Sequence, residues 1–159
     1  MNFRVGFGFD VHQLKEGRPC IIGGVSISSN KGPDGHSDAD VLIHAICDAL
    51  LGAANLRDIG YNFPNWDERY KNIDSKILLK EVLALIHKKN YRVGNIDATV
   101  TLEKPKLNNH IPEMQKVLSQ ILEIDEDCVS IKATTNEKLG YVGREEGVNA
   151  SAVALIYKS

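Results

Sequence analysis

The chain has little with which to build a covalent framework. It carries three cysteines, Cys20, Cys47 and Cys128, odd in number, far apart and never in C-x-x-C spacing. That pattern excludes a disulfide scaffold or a cysteine zinc knuckle, and all three are expected to be reduced core thiols. An excess of positive charge is missing too. Nineteen Lys and Arg stand against 21 Asp and Glu, a formal charge of −2, which excludes the broadly basic surface of a partner for nucleic acid or an anionic membrane. Any anionic ligand must be held by local devices. No apolar run approaches the roughly 20 residues of a spanning helix. The segment Met1 to Gly6 lacks the basic and apolar regions of a signal peptide, so a cytoplasmic location is expected. Internal repeats, low-complexity tracts and linkers are absent as well. With 43% hydrophobic and 25% charged residues in 159, one domain over 1–159 with its own core is expected.

What is present is an interleaving of strand and helix patterns. Residues 3–12 alternate with period two, with glycine wherever Phe or Val is absent, as in a strand to which something packs closely. Cys20 to Val25 suggests a second strand, and Ser28 to Gly35 is turn-rich. From Ser37 a helix is expected to about Ala54, because Ser37-Asp38-Ala39-Asp40 offers an N-cap and an acidic first turn. Residues 55–72 show no clear periodicity and predict a long irregular loop, a feature often tied to function. Asp74 and Ser75 cap a second helix through about Lys89, with apolar residues recurring at three and four. Asn95 to Leu102 alternates as a strand, a third helix is expected from Ile111-Pro112 to Leu122, and Val129 to Ala133 and Ala150 to Tyr157 supply two more strands. The order predicts an α+β fold with a single mixed β-sheet covered by helices.

Three constellations carry chemistry. Asp10 and His12, two apart on a strand, leave the same face and can converge on one point. His44 lies on the first helix with Asp40 and Asp48 at i−4 and i+4, a polar stripe on an apolar helix. Two imidazoles and a carboxylate suit zinc and leave a fourth position open, as catalytic sites do. Spacing alone does not unite His44 with the pair, and ordinary surface or core histidines fit the same pattern. Gly35-His36-Ser37-Asp38, at the expected helix start, suits a phosphate, or simple capping by Ser37. Beyond a strand end, Lys132 to Gly140 places hydroxyls and lysines in a turn, with Glu137 able to bind Mg2+. Lys104-Pro105-Lys106 and the segment around Arg144 add local positive charge, though Arg144 with Glu146 also fits a surface ion pair.

In this order the stretches Gly8 to His12, Ile22 to Val25, His36 to Val41, His44-Ala45, Asp48 to Ala54, Asp58 to Gly60, Phe63-Pro64, Pro105-Lys106 and Lys132 to Gly140 closely resemble the bacterial 2-C-methyl-D-erythritol 2,4-cyclodiphosphate synthases. The resemblance covers essentially the whole chain. It implies conversion of 4-diphosphocytidyl-2-C-methyl-D-erythritol 2-phosphate to the cyclic diphosphate and CMP, by homotrimers with active sites between subunits. It matches Asp10, His12 and His44 to zinc ligands, and Glu137 to a carboxylate that helps hold Mg2+ or Mn2+ near the diphosphate. His36 and Thr135 match the residues that stabilise the transition state, and Ser37 is expected to bind substrate. Asp58, Ile59, Gly60, Phe63, Pro64, Asn65, Trp66 and Asp67 match the methylerythritol region. Leu102, Glu103, Lys104, Pro105, Lys106, Leu107 and Asn108, with Ala133, Thr134 and Thr135, match a cytidine-diphosphate pocket given by the adjacent subunit, and Asn136 is also expected to bind substrate. Phe9, Tyr141 and Arg144 match the lining of an apolar cavity on the trimer axis that can hold an isoprenoid diphosphate. Asn65 departs from the family pattern, which has an aspartate there.

Two other functions fit the same residues. A zinc phosphodiesterase would use the open metal position to activate water, and a metal-dependent nucleotide-binding module would use the Thr134-Thr135 turn for recognition alone.

Overall fold

The computed structural model describes residues 2–158. In chain order its elements are strands β1 (Phe3–Glu16), β2 (Cys20–Ile22), β3 (Val25–Ile27) and β4 (Lys31–Asp34), then helices α1 (Val41–Ala53), α2 (Ile59–Asn62) and α3 (Ser75–Lys88). There follow β5 (Tyr91–Thr101), α4 (Ile111–Leu122), β6 (Val129–Thr134), α5 (Gly140–Gly143) and β7 (Gly147–Lys158). β4, β1, β7, β5 and β6 form one five-stranded sheet in that order, antiparallel except for the β5–β6 pair. α1, α3 and α4 pack on it and on one another. The predicted α+β class and mixed sheet hold, with a separate two-stranded hairpin, β2–β3, added at the side.

The alternation of β1 separates two environments. Gly6, Gly8, Asp10, His12 and Leu14 turn towards the helices, whereas Phe3, Val5, Phe7, Phe9 and Val11 on the other face are exposed. The glycines do what the sequence anticipates. A Cβ on Gly6 would lie 1.9 Å from the Ala49 carbonyl oxygen, and one on Gly8 would lie 2.0 Å from that of Ala45. α1 therefore rests backbone to backbone on β1, through Ala45, Ala49 and Ala53, spaced four apart on one helix face. Beside the glycines, the buried Ala150, Ala152 and Ala154 of β7 extend the same shallow floor. α1 is enclosed on nearly every side, with 11 of its residues buried, which explains a sequence that is apolar apart from His44 and Asp48.

Several boundaries differ from expectation. The stretch 20–25 is not one strand but the start of a hairpin that turns at Gly23 and Gly24, with φ of 62° and 74°, the left-handed pair that a tight hairpin demands. The turn-rich segment contains β4, paired with the far end of β1. α1 begins four residues later than Ser37 because Ala39 sits at φ 57° and Asp40 is the N-cap, accepting from the Ile43 amide. The loop at 55–72 holds α2 and a single 3-10 turn, Glu68–Tyr70. Strands β5, β6 and β7 run longer than their alternation alone indicates, while α3 and α4 start where expected. Cys20 and Cys47 are buried, but Cys128 is only half-buried. Among the described residues no helix is long and apolar enough to cross a membrane.

The α1–β1 contact has no room for a methyl group, and both partners are backbone. Gly6→Ala is expected to destabilise the protein by about 3 kcal/mol, the upper end of ordinary overpacking, read as a lowered urea midpoint at unchanged m-value.

Candidate metal centre

The close seating of α1 carries His44 down onto β1. Asp10 Oδ2, His12 Nε2 and His44 Nδ1 then face one another, with Asp10–His12 at 2.8 Å, Asp10–His44 at 3.0 Å and His12–His44 at 3.1 Å. They form the one His, Cys, Asp and Glu group among the described residues with metal-binding spacing. The structure thus joins the residue that spacing left apart. Ligand distances of about 2.0–2.1 Å in a tetrahedral site place ligand atoms about 3.3–3.4 Å from one another, so the triangle is already close to the face of such a tetrahedron. The donor set of two imidazoles and one carboxylate fits a divalent cation.

The surroundings hold each ligand in place. The His12 ring turns its Nδ1 to the Asp34 carbonyl oxygen at 3.1 Å; a carbonyl only accepts, so Nδ1 carries the proton and Nε2 presents a lone pair to the centre. His44 Nε2 lies 3.1 Å from Ser37 Oγ and 2.9 Å from Ser75 Oγ. Burial opposes charge on both partners, but hydrogen bonds and charge from His12 and His44 outweigh it at Asp10, whose carboxyl is held down at about 2. For His44, burial likewise opposes the cation, and the Asp10 carboxylate beside it raises its pKa above the ordinary histidine value.

The polar stripe around His44 resolves into three roles. His44 faces the centre. Asp40 is fully buried and accepts from the amides of Gly23 at 2.9 Å, Gly24 at 2.7 Å and Ile43 at 3.1 Å, fastening the hairpin tip to the start of α1. Asp48 accepts from the Ile59 amide at 2.7 Å and fastens α2. The first residues of α1 are buried and Asp40, not Ser37, caps the helix, so Gly35, His36 and Ser37 lie ahead of the helix start rather than at it. His36 and Ser37 reach the site by another route. They line a cavity of about 370 Å³ beside the metal centre, with Ile59, Gly60, Phe63 and Asn65. His36 Nε2 is buried there without a hydrogen-bond partner.

Other expected residues lie outside this cavity. Asp58 caps α2, accepting from the Tyr61 amide at 2.7 Å. Pro64 is half-buried, Trp66 is 82% exposed, and Asp67 is bound by Arg69 at 2.6 Å. A second, separate cavity of about 100 Å³ is lined by Leu102, Pro105, Lys106, Leu107, Asn108, Ala133, Thr134 and Thr135. Glu103 accepts from the Asn136 amide at 3.2 Å, and Lys104 pairs with Glu145 at 3.2 Å. Glu137 stands on the exposed turn after β6, outside the metal group. Arg144 pairs with Glu146 at 3.0 Å, the surface ion pair that its sequence context allowed, and the Tyr141 hydroxyl accepts from Asn149 at 2.8 Å. Phe9 lies on the exposed sheet face. Sequence reasoning missed Tyr70, Ile73 and Leu78 as cavity walls, since nothing in their spacing separates a cavity wall from core. It also missed Asp34, Asp38 and Ser75 behind the ligands, where Ser75 carries only the signal of a helix start.

Comparison with known proteins gives one answer throughout. A model of the YgbB family matches residues 3–157. A 2-C-methyl-D-erythritol 2,4-cyclodiphosphate synthase from Cytophaga hutchinsonii is 64% identical over 158 residues, covering 99% of both chains. Among solved structures, the CDP complex of IspF from Plasmodium falciparum superposes with a TM-score of 0.88 at 37% identity, covering 99% of this chain and 97% of that one. The bifunctional IspDF of Campylobacter jejuni gives 0.95 at 39% identity over 99% of this chain, which spans 42% of its length.

The depressed Asp10 pKa has a direct consequence for the chelator-treated protein. Its carboxylate stabilises the fold above the unfolded value near 4, and that stabilisation is lost as pH falls towards about 2. Between pH 5 and 2 the stability advantage of wild type over Asp10→Asn is expected to shrink by about 2 kcal/mol, measured by urea denaturation.

Proposed function

The chain belongs to the YgbB family, and from that premise we propose that it is a 2-C-methyl-D-erythritol 2,4-cyclodiphosphate synthase acting in the cytoplasm. Its substrate is then 4-diphosphocytidyl-2-C-methyl-D-erythritol 2-phosphate, and its products are the cyclic diphosphate and CMP. The observation that carries the reading is the convergence of Asp10, His12 and His44 at the edge of a cavity lined by His36, Ser37, Ile59, Gly60 and Phe63.

The reaction suits a site with few proton-transfer groups. The nucleophile is the substrate's own 2-phosphate, largely dianionic at neutral pH because its second pKa is about 6. One of its oxygens bonds to the β phosphorus while the β phosphorus–oxygen bond to the α phosphate breaks, and the electron pair departs with CMP. No protein base is required. What the chain must supply is a bent substrate, in-line placement and compensation of negative charge. Asp10, His12 and His44 would hold Zn2+ or another divalent cation, which when bound contributes positive charge at the β phosphate. Glu137 would share in holding Mg2+ or Mn2+ with the diphosphate. His36, whose Nε2 lacks a partner, and the Ser37 hydroxyl would bind phosphate oxygens, and Thr135 would bind them from the other side. Ile59, Gly60, Phe63 and Asn65 would shape the methylerythritol end; Asn65 gives and accepts hydrogen bonds there without adding charge.

The small cavity at Leu102 to Asn108 and Ala133 to Thr135 would take the cytidine diphosphate. That it is separate from the metal-side cavity within one chain supports a homotrimer in which each site is shared by neighbours. The exposed apolar face of β1, Phe3, Val5, Phe7, Phe9 and Val11, supports the same assembly.

Incubation of the purified protein with the substrate, followed by phosphorus NMR, is expected to give cyclic diphosphate and CMP in equal amounts and nothing after chelation. A linear monophosphate would instead identify a hydrolase. Sharing of the site has its own signature. Equal mixing of two inactive variants, His44→Ala and Thr135→Ala, under conditions that exchange subunits, is expected to restore about one quarter of wild-type activity, because one interface in four pairs an intact metal side with an intact nucleotide side.

A further inference from the structure

We propose that Asp38 and Ser75 are positioning residues for the metal centre: the Asp38 carboxylate takes the Ser75 hydroxyl proton, and Ser75 must then accept from His44 Nε2, which keeps a proton on Nε2 and makes Nδ1, 3.0 Å from Asp10 Oδ2, the nitrogen that coordinates a cation. This rests on the metal reading of the Asp10, His12 and His44 group and extends it to residues that ligate nothing.

A neutral imidazole has one N–H and one lone pair, and which nitrogen holds which depends on what each faces. His44 Nε2 faces two hydroxyls, Ser75 Oγ at 2.9 Å and Ser37 Oγ at 3.1 Å, and a hydroxyl can give or accept. Left alone, either could donate to Nε2 and fix the single ring proton on Nδ1, where the Asp10 carboxylate at 3.0 Å accepts it and coordination is blocked. Asp38 removes that freedom for the nearer one. Its Oδ1 accepts the Ser75 hydroxyl, and its Oδ2 accepts the Ser75 amide at 3.0 Å. Both carboxylate oxygens are thus turned to Ser75, and a carboxylate only accepts. Ser75 has one hydroxyl proton, already given, so at His44 it can only receive.

The fold makes the arrangement stiff. Ser75 is fully buried at the first turn of α3. Asp38 is held by its own amide donating to the Ile73 carbonyl at 3.1 Å and by the Asp40 amide donating to Oδ1 at 3.2 Å. The relay therefore spans the segment before α1, the start of α3 and the ring on α1. It mirrors the fixing of His12, where the Asp34 carbonyl performs the same service at Nδ1. Ser37 follows as a consequence. With Nε2 already a donor, the Ser37 hydroxyl cannot give its proton to His44, while its oxygen accepts from the Ala39 amide at 3.2 Å. Its proton is free for an acceptor in the cavity that Ser37 lines.

The test is metal affinity, not turnover. Metal-free wild type, Ser75→Ala, Asp38→Ala and the double variant are titrated with Zn2+ against a chromogenic chelator, with folding checked by circular dichroism, and the visible absorption of the Co2+ forms is recorded. Both single variants are expected to bind Zn2+ about 10- to 100-fold more weakly, with an altered Co2+ spectrum. The double variant is expected to be no weaker than Ser75→Ala, because Asp38 acts through Ser75. Folded Ser75→Ala with affinity within about twofold of wild type, or losses that multiply in the double variant, would overturn the relay while leaving the metal reading intact. A wild-type chain that takes up no Zn2+ would overturn both. If Asp38→Ala does not fold, Ser75→Ala decides alone.

Discussion

The rest of the structure depends on a contact that contains no side chain. α1 lies on β1 where Gly6 and Gly8 leave the strand bare, and the helix answers with Ala45, Ala49 and Ala53. The metal centre is a consequence of that distance. His44 sits one residue before Ala45, and Asp10 and His12 continue the glycine face of β1, so the two backbones must nearly touch for a short aspartate and two imidazoles to meet within 3.1 Å. A larger residue at either glycine would lift the helix, and the ligands would be the first groups to part. Close packing of this kind also resists relaxation, because the atoms in contact are backbone on both sides.

Once α1 is placed, its few polar residues organise everything that arrives around it. Asp40 gathers the β2–β3 hairpin, Asp48 gathers α2, and His44 gathers Ser37 and Ser75. Each of these is a buried or half-buried group with a partner of opposite hydrogen-bonding sense, as an interior helix requires. The cavity wall at Ile59, Gly60 and Phe63 is therefore built from a segment with little regular structure, yet tethered at one end to the same helix that carries a ligand. Placement of the metal ligands and placement of the cavity share one cause.

Much of this was legible in the sequence, and the parts that were not have a common reason. Asp10 and His12 could be put on one face of a strand because period two is local, and the helices at 75–88 and 111–122 announced themselves by a cap at Asp74 and an early proline at Pro112. The glycines of β1 signalled a close approach, though not what approached. The start of α1 was misplaced because Ser37 and Asp40 are equally good caps in isolation; the left-handed turn at Ala39 and the hairpin amides decide between them, and both are tertiary. The hairpin at Gly23 and Gly24 hid inside an apolar run too short to show two strands. His44 could not be joined to its partners by spacing, since 32 residues separate it from His12. Ser75 looked like a helix start and is one, so its second contact left no trace in the pattern. Local rules read elements; the site is made where elements meet.

β1 also divides the chain between an inward, ligand-bearing face and an outward, apolar one. Its inward face is spent on glycine, two ligands and Leu14, and its outward face presents Phe3, Val5, Phe7, Phe9 and Val11 to solvent, each at least 47% exposed. A run of five large apolar residues on one strand is far more than scattered surface hydrophobicity, and it lies on the side that no helix covers. Burying it against a second copy of the same face would exclude water from it. The same alternation that aims Asp10 and His12 inward therefore aims the aromatic side chains outward. Slipping the register of β1 by one residue would expose the ligands and bury the aromatics against α1. The ligand-bearing face and the exposed apolar face are thus two sides of one strand, and a sequence change in β1 that shifts its register acts on both.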